Sequence, residues 1–217
     1  MDTVQWTSRI EAKGMDPEAL AGKMAGDPGA VALLLDGMGA KGARMKYGCG
    51  KVLRALAQGR PELVYPRFDD CVRFLSCDNA FLRWDMIRTL SYLAAVDRGS
   101  QFRRIFKRYF GLIGGPEMVA AANVLEGAPR IAEALPELRE GIVREILKVE
   151  KARYRMHGAP SPECGRVACG HALEALGAMY PTLEDTRKVD AFIRRQTENP
   201  RQAVGRKARR LARELGL

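Results

Sequence analysis

The sequence predicts an all-α chain built as a stack of helical hairpins, and three observations carry that expectation. Apolar residues recur at helical spacing along most of the chain, and no sustained strand-like alternation interrupts them. Three segments share one register: KYGCGKVLRALA from Lys46, RWDMIRTLSYLA from Arg83 and RVACGHALEALG from Arg166. Each opens with a cation, places leucines seven and ten positions later (Leu53 and Leu56, Leu90 and Leu93, Leu173 and Leu176), and follows them with Ala57, Ala94 or Gly177. Spacings of seven and ten return to one helical face, so each leucine pair is expected to be core. Lys46 and Arg83 are 37 residues apart, a period suited to two-helix solenoid repeats.

Taken in order, residues 1–15 are polar and expected to be loosely ordered. Asp16-Pro17-Glu18 starts a short helix, with a capping acid, proline at the first helical position and a carboxylate at the positive end of the dipole. Asp27-Pro28 repeats the device before AVALLLDGM, and Gly37, Gly39 and Gly42 end that run. Gly42 to Gln58 is the first repeat helix and Pro61 to Leu75 its partner. Asn79 to Val96 and Gln101 to Leu112 form the next pair. Gly114-Gly115-Pro116 opens a degenerate copy, AANVLEGAPRIA from Ala121, in which Pro129 and Pro136 are expected to kink or divide helices. A second helix follows from about Pro136 to Arg155. His157 to Pro162 reads as a loop insertion. Helices over Pro162–Met179, Glu184–Gln196 and Pro200–Leu215 complete the chain, the last serving as a cap with its stripe at Val204, Ala208, Leu211 and Leu215.

The residues Leu75, Asp78, Leu82, Arg83, Ile87, Leu90 and Leu93 resemble the HEAT repeat, a helical hairpin of armadillo type. The resemblance covers roughly residues 30–200 and extends, more distantly, to HEAT-like DNA alkylation repair glycosylases. It implies a single α-solenoid over residues 1–217, with about five hairpins stacked on their neighbours. It also implies that a turn aspartate and a helix-opening cation ladder between repeats, with Asp78 and Arg83 the best-matched pair and Asp36 with Lys46 a looser one. Second helices of such repeats line the concave surface. Activity does not follow from this shape.

Composition narrows the class. Hydrophobic residues at 47% supply a core, and five irregularly spaced cysteines form no disulfide framework. The N-terminus MDTVQWTSRI lacks a signal-peptide pattern, and no apolar run reaches the ~20 residues of a membrane span. A cytoplasmic protein with no membrane partner is the expectation, without cofactor or metal.

Two constellations invite chemistry. His157, Cys164, Cys169 and His171 fall within one segment, but Cys169 lies well round the helix from Cys164 and aligns with the core positions Cys49 and Met86. Packing is the expected role. Trp84-Asp85 resembles part of the aromatic and acid set of the HEAT-like glycosylases. Trp84 aligns with Tyr47 and Val167, however, and an i,i+3 pair with Arg88 accounts for Asp85. No catalytic residue is assigned, and the protein is expected not to be an enzyme.

Charge carries the functional expectation. The net charge is +10, and cations concentrate on the second helices. Arg103, Arg104, Lys107 and Arg108 lie in one; Arg144, Lys148 and Lys151 in the next, grouped there with Arg139, Arg153 and Arg155; Arg194 and Arg195 in a third. The resemblance makes these one basic groove. A non-catalytic scaffold holding a protein partner is the first expectation, and sequence-independent binding of a DNA or RNA backbone the alternative.

Overall fold

The computed structural model describes residues 3–217. Helices α1 (Thr3–Glu11), α2 (Pro17–Met24), α3 (Ala30–Gly37), α4 (Ala43–Gly59), α5 (Pro61–Val64), α6 (Phe68–Arg73) and α7 (Ala80–Leu93) come first. They are followed by α8 (Gln101–Phe110), α9 (Met118–Ala134), α10 (Arg139–Ile146), a hairpin of β1 (Arg155–Met156) and β2 (Ala159–Pro160), then α11 (Pro162–Met179), α12 (Arg187–Gln196) and α13 (Gln202–Leu215). The fold is all-α, with strand confined to that hairpin among the described residues. No helix among these residues is long and apolar enough to cross a membrane.

Contacts divide the chain into two compact units, Met1–Phe102 and Arg103–Leu217. In the first, α4 packs against α1, α2, α3, α5 and α7. In the second, α11 lies between α9 and α13, α12 packs on α13, and α10 packs on α9 and α11. The repeat leucines sit in these cores: Leu53, Leu90, Leu93, Leu173 and Leu176 are fully buried, and Leu56 nearly so. The helix at the C-terminus ends on a left-handed Gly216. It buries Val204, Ala208 and Ala212, while Leu211 packs over Gly177.

Several expectations are corrected. Met1 and Asp2 lie outside the described residues, but the rest of residues 1–15 is not loose. Trp6 and Ile10 are buried, and Trp6 Nε1 donates to Asp27 Oδ2 at 2.7 Å. Gly48 permits this docking, since a Cβ there would lie 2.7 Å from Ile10 Cγ2. The partner of α4 is broken at Pro66, whose ring and missing N–H leave a 3-10 turn over Tyr65–Arg67 between α5 and α6. Pro129, by contrast, lies inside α9 without dividing it. Its neighbours Val124, Leu125, Ala128 and Ile131 are buried, and their packing outweighs the one lost backbone bond.

The second helix of the degenerate repeat is also shorter than expected. It passes from α10 into a 3-10 stretch, Leu147–Lys151, and the backbone becomes extended at Ala152. Residues 155–160 form a hairpin, turned by His157 at φ 52° and Gly158 at φ 80°, and Ser161 caps α11.

Candidate functional site

The expected basic residues all lie in the second unit, on the elements that flank α9, α11 and α13. On α8, Phe102, Ile105 and Tyr109 are buried, which turns Arg103, Arg104, Lys107 and Arg108 outward. Arg144 projects from α10, Lys148 and Lys151 from the 3-10 stretch after it, and Arg194 and Arg195 from the last turn of α12. All nine are exposed.

Close packing joins these elements into one face. Gly141 on α10 faces Phe106 on α8 so closely that a Cβ would lie 3.0 Å from the ring. Arg103 reaches Glu137 at 4.0 Å. At the other side, Arg195 makes a two-pronged bond to Glu150, Nε to Oε1 at 3.1 Å and Nη2 to Oε2 at 2.7 Å. Gln196 Nε2 donates to the same carboxylate at 2.8 Å, and Asn199 Nδ2 donates to Gln196 Oε1 at 2.7 Å. The structure thus brings the three groups of cations together, with Arg153 and Arg155 leaving the set because they belong to the hairpin arm.

The face is of mixed charge. Arg103, Lys148 and Arg195 each meet a carboxylate of the same face: Glu137, Glu145 at 2.6 Å and Glu150. Lys107, Arg144, Lys151 and Arg194 make no ion pair among the described residues. The face thus carries ion-paired and unpaired cations side by side in its make-up.

Among the described residues no three His, Cys, Asp or Glu side chains gather as a metal site. Cys164 and Cys169 are buried, His157 stands at the hairpin turn, and His171 Nδ1 lies 3.4 Å from Glu174. Burial pushes the Cys169 thiol up to about 11, which keeps it protonated at neutral pH. Asp85 pairs across helices with Arg54 of α4 at 2.6 Å, a partner on another element that one-helix spacing does not reveal. Burial raises its pKa, against the opposing pull of Arg54, Lys51 and Arg88. Trp84 belongs to an edge-on aromatic chain, with Tyr47 to Phe81 at 5.6 Å and Phe81 to Trp84 at 5.1 Å.

The Asp78–Arg83 ladder implied by the HEAT resemblance is replaced at this turn by other bonds. Arg83 donates to the Cys77 carbonyl, and the helix is capped by Asn79, whose Oδ1 accepts from Leu82 N at 3.2 Å. Elsewhere acids hold aromatic hydroxyls: Tyr65 donates to Asp97, before α8, at 2.6 Å, and Tyr180 to Asp190, in the first turn of α12, at 2.8 Å.

No family model matches the chain, and no curated protein matches it. Solved structures do. An engineered protein from the Northeast Structural Genomics Consortium aligns over 97% of this chain and 97% of its own, at 12% identity and a TM-score of 0.53. A second engineered protein from the same consortium aligns over 100% of this chain and 97% of its own, at 13% identity and a TM-score of 0.45. At 12% identity the first likeness speaks to fold alone.

Proposed function

We propose that this chain is a non-catalytic scaffold that binds a protein partner through the face of α8, α10 and α12. The observation that carries the reading is the mixture of paired and unpaired charge. Three of the nine cations are already paired with Glu137, Glu145 and Glu150, while Lys107, Arg144, Lys151 and Arg194 on the same elements make no ion pair among the described residues. A phosphate backbone is served best by a continuous run of unpaired cations, whereas here three of the cations are already engaged by carboxylates. A folded partner with acidic groups placed opposite the four cations matches the pattern, and charge complementarity of that kind sets register and on-rate. The HEAT resemblance supports the reading by analogy of shape, and the cytoplasm is the compartment that its unpaired cysteines suit.

The test is capture from native extract with the wild-type chain and with a Lys107→Glu, Arg144→Glu, Arg194→Glu variant. A stoichiometric protein complex that resists nuclease and is lost in the variant supports the reading. Captured material that disappears on nuclease treatment contradicts it in favour of a DNA or RNA backbone.

A further inference from the structure

A second feature lies at the hairpin arm and does not rest on the reading above. Between the arm and the start of α11 is a cleft of about 510 Å³, with Arg153, Arg155 and Arg166 among its lining residues. Burial alternates along the arm: Tyr154 is 2% exposed, while Arg153 and Arg155 on either side of it are exposed. Alternation of this kind puts the two guanidinium groups on the same side of an extended strand. Arg166 approaches from α11.

The arm is fixed in place. Tyr154 Oη donates to the Ile113 carbonyl at 2.7 Å, Arg155 N to the Pro116 carbonyl at 2.8 Å, and Ser161 N to the Tyr154 carbonyl at 2.9 Å. One carboxylate, Glu150, lines the cleft, and it and Glu163 at the start of α11 are both already engaged. Glu150 holds Arg195 and Gln196, and Glu163 holds Arg166 and Arg201. Arg153 and Arg155 make no ion pair among the described residues. The lining also includes apolar Val149, Pro160 and Cys169, alongside polar Ser161, Gln196 and Asn199. A fixed cleft with surplus guanidinium charge and apolar lining residues suits an anion attached to an apolar body. Planar guanidinium forks bind phosphate oxygens two at a time.

We infer that this cleft binds a phosphate monoester, with the phosphate held by Arg153, Arg155 and Arg166 and an attached apolar group laid against Val149 and Pro160. Such a group comes either on a free small molecule or on a phosphorylated side chain of a partner. Calorimetry with four probes separates them: inorganic phosphate, phenyl phosphate, a neutral decapeptide carrying one phosphotyrosine, and its unphosphorylated twin.

Sub-millimolar binding of phenyl phosphate or of the phosphopeptide is expected, with the tighter of the two naming the source. Inorganic phosphate is expected to bind more weakly than phenyl phosphate, and the unphosphorylated peptide not at all. Arg153→Gln with Arg155→Gln is expected to weaken binding about ten-fold or more, and the corresponding lysine pair by less, because charge remains and the fork is lost. If the double variant fails to fold, Arg166→Gln on α11 provides the same comparison. Absence of binding by both phosphorylated probes at millimolar concentration overturns the inference. So does unchanged affinity in a folded variant.

Discussion

Trp6 and Asp27 are joined by a 2.7 Å hydrogen bond from the indole Nε1 to Oδ2, which ties the first helix to the turn before α3. Asp27 also accepts from Gly29 N at 2.9 Å. These two bonds hold its carboxyl below the usual 3.8, so the ionised form is the one the fold uses. A depressed folded pKa gives stability that is present above the unfolded value and lost as pH falls through the folded one. An acid titration followed by tryptophan fluorescence should show a transition below pH 3.8 that is absent in Asp27→Asn. A Trp6 signal unchanged by that substitution would contradict the assignment.

Gly48 gives a sharper test of the first helix. Any side chain there meets Ile10 Cγ2 at 2.7 Å and the Ile10 carbonyl at 3.1 Å. Gly48→Ala should destabilise by about 1–3 kcal/mol through overpacking, despite alanine's better helix propensity. Combined with Ile10→Ala, the Cγ2 collision is gone, and the measured loss should be less than the sum of the two single losses. Additive losses in denaturant unfolding would show that α1 does not dock on α4.

The Arg54–Asp85 pair predicts an asymmetry. Its side chains are 24% and 11% exposed, so the carboxylate depends on its partner more than the guanidinium does. Arg54→Met should cost roughly 3 kcal/mol by stranding a buried charge, and Asp85→Asn only about 1 kcal/mol. In Arg54→Met the folded pKa of Asp85, already raised by burial, rises further above the unfolded one. The native state then binds the extra proton, so that variant should regain stability as pH falls from 7 toward 5. Equal losses in the two variants, or no recovery on acidification, would contradict the account.

Thiol accessibility is the fourth expectation. Burial pushes Cys49 and Cys71 up to about 12 and Cys169 up to about 11. Thiolate is the reacting form, so these three should resist a disulfide reagent near pH 8 in the folded chain. Half-buried Cys77 should react ahead of them, and all five should react in denaturant. Rapid modification of Cys49 or Cys71 without unfolding would disprove their placement.

Periodicity made the repeat cores legible. Leucines seven and ten positions after Lys46, Arg83 and Arg166 identify the buried face, because helical spacing is local and packing follows it. The features that escaped depend on partners distant in sequence. Trp6 reads as part of a polar tail until Asp27, 21 residues on, is seen to accept its N–H. Asp85 calls for Arg88 by spacing and finds Arg54 on the neighbouring helix. Pro129 is a local helix breaker overruled by its buried neighbours. The arm at residues 152–156 shows a brief polar–apolar alternation, Arg153-Tyr154-Arg155-Met156, too short to compete with the helical pattern before it. The basic residues were readable one by one. Acids interleaved with them, Glu145 and Glu150 included, were readable too, and Lys148 meets Glu145 at i,i+3 spacing. The pairings of Arg103 with Glu137 and Arg195 with Glu150 join separate elements and emerge only in three dimensions.

That mixed charge is most directly tested by fluorescence anisotropy with labelled duplex and single-stranded DNA across a salt series. A protein-binding face of mixed charge predicts affinity no better than micromolar at low salt and a shallow dependence on salt concentration. Sub-micromolar binding with a steep negative salt slope, abolished by Lys107→Glu, Arg144→Glu, Arg194→Glu, would contradict it and make the face a phosphate-backbone groove.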